Sequence, residues 1–516
     1  MFKFLLRAFA SVVVCLALAS CSKHPNAKTD LRALCPGCNV ILISMDTVRA
    51  DHVGAYGYSQ RPTTPNLDAF ATHAAVFEHA VSQSSWTLPA HGAMMTGLYP
   101  GRLGVTHYPA QRRIPEDVPM LAEVMGRSGY ATAGFTGGGF VSRHFGFDRG
   151  FETYASDGRR FEHNIDEALA WLIQNEKRKF FLFLHGYDAH RPYFSHQADK
   201  RAVGVHAQGA EKKRFCEKGR NDRPSERELK SVLGYYDASI RMGDRVVGRV
   251  LDLVRERGLM DNTVILVTSD HGEEFFDHGN CDHVRFLYHE IIHVPYILHV
   301  PRATEKGRRI PDVVPASISV ARTLLEAVGV ENDMPGASLI PLVKGKSDLF
   351  GAVFSEADSE IGALGSRGAT IAMTGGRYKL ISYLEEGNDE GYDLIDDPRE
   401  RKVLPESRDV YAQRPTLRAW HAATDKNPSA TELARARESG TDEDGKQPTT
   451  RDKSKNKKPA GAPKVAKKTQ PGPREKDGSA APPPSAPAPT EQPSKSTGMA
   501  LPDDVKEQLR SLGYAE

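Results

Sequence analysis

Two apolar runs, far apart and built alike, constrain this chain most. Asn39-Val40-Ile41-Leu42-Ile43-Ser44-Met45 ends on Asp46, and Thr47-Val48-Arg49-Ala50-Asp51 follows. Far downstream, Thr263-Val264-Ile265-Leu266-Val267-Thr268-Ser269 ends on Asp270-His271-Gly272. Short apolar runs bounded by polar residues read as buried strands. Two such strands, each ending in a carboxylate, bring both acids to one edge of a sheet. Open α/β sheets place their sites there, beyond the carboxyl ends of the strands.

Further strand candidates are Phe180–Leu184 and Tyr296–Val300, and helical patterns alternate with them. The clearest helix starts at Ser225, where Ser-x-x-Glu to Glu228 is a capping box. Leu229, Val232, Leu233, Tyr236, Ile240, Gly243, Val247, Val250, Leu251 and Val254 follow, mostly at three- and four-residue steps, as a core-facing stripe does. This alternation predicts an α/β fold with a mostly parallel central sheet and helices on both faces. The catalytic domain is expected over 39–345, with a charged surface excursion at 195–224. A small C-terminal α+β subdomain is expected over 346–425.

Residues 426–497 turn rich in Lys, Pro, Ala, Ser and Gly, too polar to offset chain entropy by burial, and read as disordered. Within 498–516, Leu501 to Tyr514 regain apolar spacing and predict a short helix docking back on the body. Residues 1–20 read as a signal peptide: Lys3 and Arg7 precede a short apolar core that ends at Leu18-Ala19-Ser20. Cys21 directly after that triplet resembles a bacterial lipobox. Lipidation of Cys21 would tether 21–38 to a membrane and place the enzyme in the bacterial cell envelope, periplasmic or on the outer surface. An ordinary signal peptide or an uncleaved anchor is the alternative.

Of six cysteines, removal of Cys15 and lipidation of Cys21 leave Cys35, Cys38, Cys216 and Cys281, which allow three pairings. Cys35-Pro36-Gly37-Cys38 reads as a local disulfide or free thiols, and Cys216 with Cys281 is the other candidate bridge. A net charge of +2 gives no reason to expect a nucleic-acid partner. Oligomeric state is left open.

The candidate chemistry lies between the two acids. Asp46 and Asp270 offer hard oxygen ligands, and His271 adds nitrogen. Mixed O/N ligation fits Ca, Mg, Mn or Zn. In Thr87-Leu88-Pro89-Ala90-His91, Thr suits a helix cap and Pro the first turn. The same geometry makes Thr87 a candidate nucleophile and metal ligand, since a helix N-terminus favours an oxyanion. Asp51 is assigned to structure. Histidine is dense near this edge: His185 and His190 flank Asp188, and His271, His278, His283 and His289 cluster after the second acid. They suggest anion contacts, acid–base work or a second metal, with His185, His190 and His283 as its candidates.

From about Asn39 to Leu404 the chain resembles the sulfatase branch of the alkaline phosphatase superfamily. The resemblance rests on Asp46-Thr47-Val48-Arg49-Ala50-Asp51 with Tyr56-Gly57-Tyr58, on Trp86 to Pro100, and on Ser269-Asp270-His271-Gly272-Glu273. Weaker support comes from Gly375-Gly376-Arg377-Tyr378-Lys379-Leu380 and Tyr392-Asp393-Leu394. It implies an alkaline phosphatase-like fold, an anionic ester substrate and at least one divalent cation. It also implies catalytic roles for Thr87, His190 and His283, and substrate contacts for His91, His185 and Arg285.

Five departures from the family pattern bear on mechanism. Sulfatases carry Cys or Ser, converted to formylglycine, where this chain has Thr87, and Arg where it has His91. Ser84 and Ser85 are out of register with the proline. Thr cannot form the aldehyde, whose hydrate uses a second hydroxyl to expel sulfate, so water must cleave a Thr87 intermediate. The family's paired acid is Asp46-Thr47, one carboxylate short. Its Lys-x-His segment aligns with Gly137-Gly138-Gly139, and only His283 or Arg285 lies near the position of its late Lys. The expectation is a metal-dependent hydrolase of phosphate or sulfate esters. Thr87 favours phosphate mono- or diesters, or phospho-group transfer. The rivals are a true sulfatase working without formylglycine and an inactive envelope scaffold.

Overall fold

Eight strands lie side by side in a computed structural model that describes residues 33–108, 112–156, 160–205, 223–304, 306–359, 368–425 and 501–511. Their order is Arg308–Pro315, Ala75–Val81, Tyr296–His299, Thr263–Thr268, Asn39–Met45, Phe180–Gly186, Ala131–Phe135 and Thr153–Ala155. Only Tyr296–His299 runs against its neighbours. The two acid-ending runs are adjacent at the centre and pair in parallel.

Every residue of Asn39–Met45 is buried, and alternate side chains enter different cores. Val40 and Leu42 pack with Leu88 and Met94 of the helix Thr87–Thr96 and with Leu324 of the helix Val320–Val328. Ile41, Ile43 and Met45 pack with Leu172 of the helix Phe161–Asn175 and with Ile240 and Val247 of the helix Glu226–Glu256. Both faces of the sheet are therefore covered, as a parallel sheet requires. The Glu226–Glu256 helix begins at the expected capping box, with Glu228 N–H donating to Ser225 Oγ at 3.3 Å.

A second, five-stranded sheet joins Val353–Ser359, Gly368–Thr374, Tyr378–Tyr383 and Asn388–Asp393 to His107–Tyr108. The helix Arg414–Asp425 closes over it, with Trp420 stacked on Phe354 at 4.7 Å between centroids. The charged stretch expected to be irregular contains a short helix, Gln197–Ala202. Cys35 and Cys38 form a local disulfide. Cys281 is also disulfide-bonded, and Cys216 lies outside the described residues. So do the signal, residues 21–32 of the tether and residues 426–497.

The terminal helix Asp503–Ser511 does dock. Val505 and Leu509 are buried in the main core, and Gly139 N–H donates to Gln508 Oε1 at 2.9 Å. The expected α/β fold, with its mostly parallel sheet and C-terminal subdomain, is the one observed.

Candidate active site

Register brings the two acids together. Ser44 is paired with Thr268 on one side and His185 on the other, so Asp46 and Asp270, each two residues on, emerge side by side. Asp46 Oδ2 accepts from Thr87 Oγ1 at 3.3 Å and from His185 Nε2 at 3.2 Å. Asp270 Oδ1 accepts from the amides of Thr47 and His271 at 3.3 and 2.9 Å. Thr47 therefore answers Asp270 with an N–H where a second carboxylate was missed. Its φ of 57° is a left-handed conformation uncommon for a β-branched residue.

Asp46 Oδ1 and Asp270 Oδ2 are buried without hydrogen-bond partners. Burial, and then the Asp270 carboxylate, push the Asp46 pKa well above the ordinary value. Burial acts likewise on Asp270, but His271, His91 and His185 outweigh it and hold that pKa low. Two buried acids with an orphan oxygen each call for positive charge.

His271 is prepared to help supply the ligands for it. Its Nδ1 donates to Gly272 O at 2.9 Å, which leaves Nε2 facing Asp270 Oδ2 at 3.3 Å and Thr87 Oγ1 at 3.4 Å. A carbonyl fixing the far nitrogen is the usual support of a metal-binding imidazole. Burial pushes the His271 pKa down to about 4, so the ring is neutral. Asp46, Asp270 and His271 each offer an atom within 4.8 Å of the others, and this set fits a divalent cation.

Thr87 differs slightly from expectation. Trp86, in extended backbone, takes the cap position, and Thr87 is the first helical residue. Its hydroxyl is turned to Asp46 and His271 instead of capping the helix.

The remaining histidines close a ring around Thr87. His271 lies 4.5 Å from His283 between ring centroids, and His283 lies 5.0 Å from His190. Tyr187 bridges His190 and His185 at 5.8 and 4.5 Å, and His185 returns to Asp46. Their charges differ. His190 donates Nδ1–H to Arg191 O at 2.7 Å, and burial pushes its pKa down to about 3. Burial also opposes charge on His283, but Glu273 Oε1 and Asp282 Oδ1, 2.9 and 3.0 Å from Nδ1, outweigh it and raise its pKa to about 10. His283 is the imidazolium of the site.

Two expected substrate contacts sit elsewhere. His91 donates Nδ1–H to Thr87 O at 3.0 Å and accepts from Ser44 Oγ at 3.0 Å, with no exposed surface. With both nitrogens engaged, it supports the helix turn beneath Thr87, and its Nδ1 lies 3.4 Å from Asp270 Oδ2. Arg285 is placed against the C-terminal subdomain, 3.7 Å from Glu386 and over the Phe286 ring. Asp51 pairs with Arg49 at 2.8 Å, as its structural assignment predicts.

A family model described as Sulfatase matches residues 38–330 of this chain. The chain belongs to the sulfatase family. A second model, N-sulphoglucosamine sulphohydrolase, C-terminal, matches residues 276–419 of this sulfatase-family enzyme. It is 24% identical over 420 residues to a Delta 4,5-hexuronate-2-O-sulfatase of Bacteroides thetaiotaomicron, covering 71% of this chain and 84% of that one. With Arylsulfatase K of Xenopus laevis it shares 22% identity, over 65% and 73% of the two chains. In fold it resembles the phosphonate monoester hydrolase of Agrobacterium radiobacter, with a TM-score of 0.63 at 19% identity over 75% and 95% of the chains. The enzyme is thus an ester hydrolase of the sulfatase/alkaline phosphatase superfamily.

Sequence reasoning passed over Glu273 and Asp282, which set the charge of His283. Glu273 stands in the quoted Asp-His-Gly-Glu run and Asp282 directly precedes His283, but neither spacing shows that both carboxylates face one ring nitrogen. Tyr187 was missed for the same reason.

Proposed function

We propose that this enzyme hydrolyses phosphate mono- and diesters through a covalent Thr87 ester. The observation that carries this is the place of Thr87 Oγ1 between Asp46 Oδ2 and His271 Nε2 at the start of a buried helix. Asp46, Asp270, His271 and Thr87 would hold a divalent cation. When bound, it would lower the pKa of the Thr87 hydroxyl and screen the transferred anion.

The chain's own groups supply the rest. Thr87 loses its proton to solvent, and Oγ1 forms a bond to phosphorus as the ester P–O bond breaks. His283, held protonated by Glu273 and Asp282, neutralises the anion and gives its proton to the departing oxygen. Water then attacks the Thr87 ester and passes a proton to His283, while Oγ1 departs and regains a proton from solvent. Neutral His190, whose ring flanks His283, orients the substrate or the water. His91 holds the turn that aims Thr87.

The sulfatase relatives favour a second reading, sulfate-ester cleavage without formylglycine. The test is paired hydrolysis of aryl phosphate, aryl phosphodiester, aryl phosphonate and aryl sulfate. It uses metal-stripped enzyme with Mn, Mg, Ca or Zn added back. Metal-dependent phosphate-ester cleavage is expected, falling by on the order of 10⁴-fold or more in Thr87→Ala, as for other lost nucleophiles. Cleavage of sulfate alone, by protein whose Thr87 is unmodified by mass spectrometry, would establish the second reading instead.

A further inference from the structure

A second group of ligand-type side chains lies outside the Thr87 site. Glu274, His278 and Glu290 each offer one atom, all within 4.8 Å of one another. Glu274 is fully buried, and its Oε1 accepts from the amides of His278 and Asn280 at 3.0 and 2.8 Å. Its Oε2 is also buried and has no hydrogen-bond partner. An orphan carboxylate oxygen inside a protein carries an uncompensated desolvation cost.

His278 is oriented as a metal-binding imidazole is. Nε2 donates to Glu400 O at 2.8 Å, and Nδ1 faces Glu290 Oε1 at 2.7 Å. A backbone carbonyl on the far nitrogen fixes both the tautomer and the ring plane. Three buried carboxylates, Glu274, Glu290 and Glu400, share this group with Lys379 and the His278 ring. Lys379, 2.8 Å from Glu400, already matches that carboxylate. Glu274 and Glu290 remain. A proton on His278 offsets one of them, whereas a divalent cation offsets both.

We propose that Glu274, His278 and Glu290 form a second divalent-cation site, structural in role and suited to zinc or manganese. Its two-carboxylate, one-imidazole donor set matches those ions. Glu274 opens the ribbon formed by Glu274–Phe275 and Cys281–Asp282, which delivers His283, and Glu290 lies on the short helix His289–Ile292. A cation there would clamp the loop carrying His283 to the following helix.

The test counts metal in the full chain. Asp46→Asn with Asp270→Asn removes both carboxylates of the Thr87 site. This protein is loaded with zinc or manganese, desalted and measured by elemental mass spectrometry. About one equivalent is expected to stay, and adding Glu274→Gln or His278→Gln is expected to remove it and to lower Tm to the chelated value. Should the double variant not fold, Glu274→Gln alone is expected to hold one equivalent fewer than wild type. No retained metal in the double variant, or a count unmoved by Glu274→Gln, would overturn the proposal and leave His278 as the imidazolium of an ion triad. Aryl-ester turnover is not the readout, so this outcome is independent of the substrate assigned to Thr87.

Discussion

His283 shows how much of this site is decided by single atoms. Its charge depends on two carboxylates, and the pH dependence follows from that. The folded pKa of about 10 lies above the ordinary 6.5, so the imidazolium and the stability it lends are fully present below 6.5 and lost as pH rises through about 10. The KM for an anionic aryl ester is therefore expected to stay flat from neutral pH to near 10 and to rise above it. A steady-state pH profile checks this, and His283→Gln should raise KM below about pH 10 and remove the rise above it. A wild-type KM that climbs near pH 7 would mean that Glu273 and Asp282 do not hold the proton. Thr87 is read the same way. Thr87→Ser keeps a hydroxyl on the helix turn and should keep turnover within about ten-fold, whereas Thr87→Ala should abolish it.

Between elements, Gly272 is a tight joint. A Cβ there would sit 2.1 Å from the Glu290 carbonyl oxygen, while Gly272 N–H donates to Ile291 O at 2.6 Å. The turn that follows His271 is thus pressed against the His289–Ile292 helix with no room for a methyl. Gly272→Ala is expected to shift His271 off Asp270 and Thr87 and to lower kcat by on the order of 10²-fold, since misplacement by about 1 Å is enough. Near-native far-UV circular dichroism with reduced kcat and metal affinity is the expected pattern, and unchanged kinetics would show that the turn is looser than its packing implies. The long helix Glu226–Glu256 also serves the site. Tyr236 Oη donates to Thr47 O at 2.6 Å and accepts from Arg49 N–H at 2.9 Å, so a core stripe also pins the loop after Asp46.

At the scale of the whole molecule, the terminal helix Asp503–Ser511 returns to the main body after the polar stretch 426–497. It seats Val505 and Leu509 in the same core as Leu88 and Met94, and its Gln508 accepts from Gly139 N–H. At the opposite end of the chain a lipid tether at Cys21 is proposed. Cys21→Ser is expected to move the enzyme from the membrane fraction to the soluble one, with unchanged turnover of a soluble aryl ester. Fractionation with immunoblotting checks it, and membrane retention of the variant would point to an uncleaved apolar anchor.

The sequence alone determined the strands, their acids and the threonine that stands between them. Apolar period, the Asp46 and Asp270 termini, the Ser225 capping box and the Thr87-x-Pro89 turn are properties of neighbours along the chain, readable without coordinates. Threonine in place of a formylglycine precursor is a matter of composition at one position. The roles of the histidines were different. His91 looked like a substrate contact and is a support, because Ser44 and the Thr87 carbonyl take both its nitrogens. His190 and His283 looked alike and carry opposite protonation, because burial and the neighbouring His283 charge act on one and two carboxylates face the other. Which proton sits on which ring nitrogen depends on groups that only the fold brings within about 3 Å, where charge interactions inside a protein are strongest.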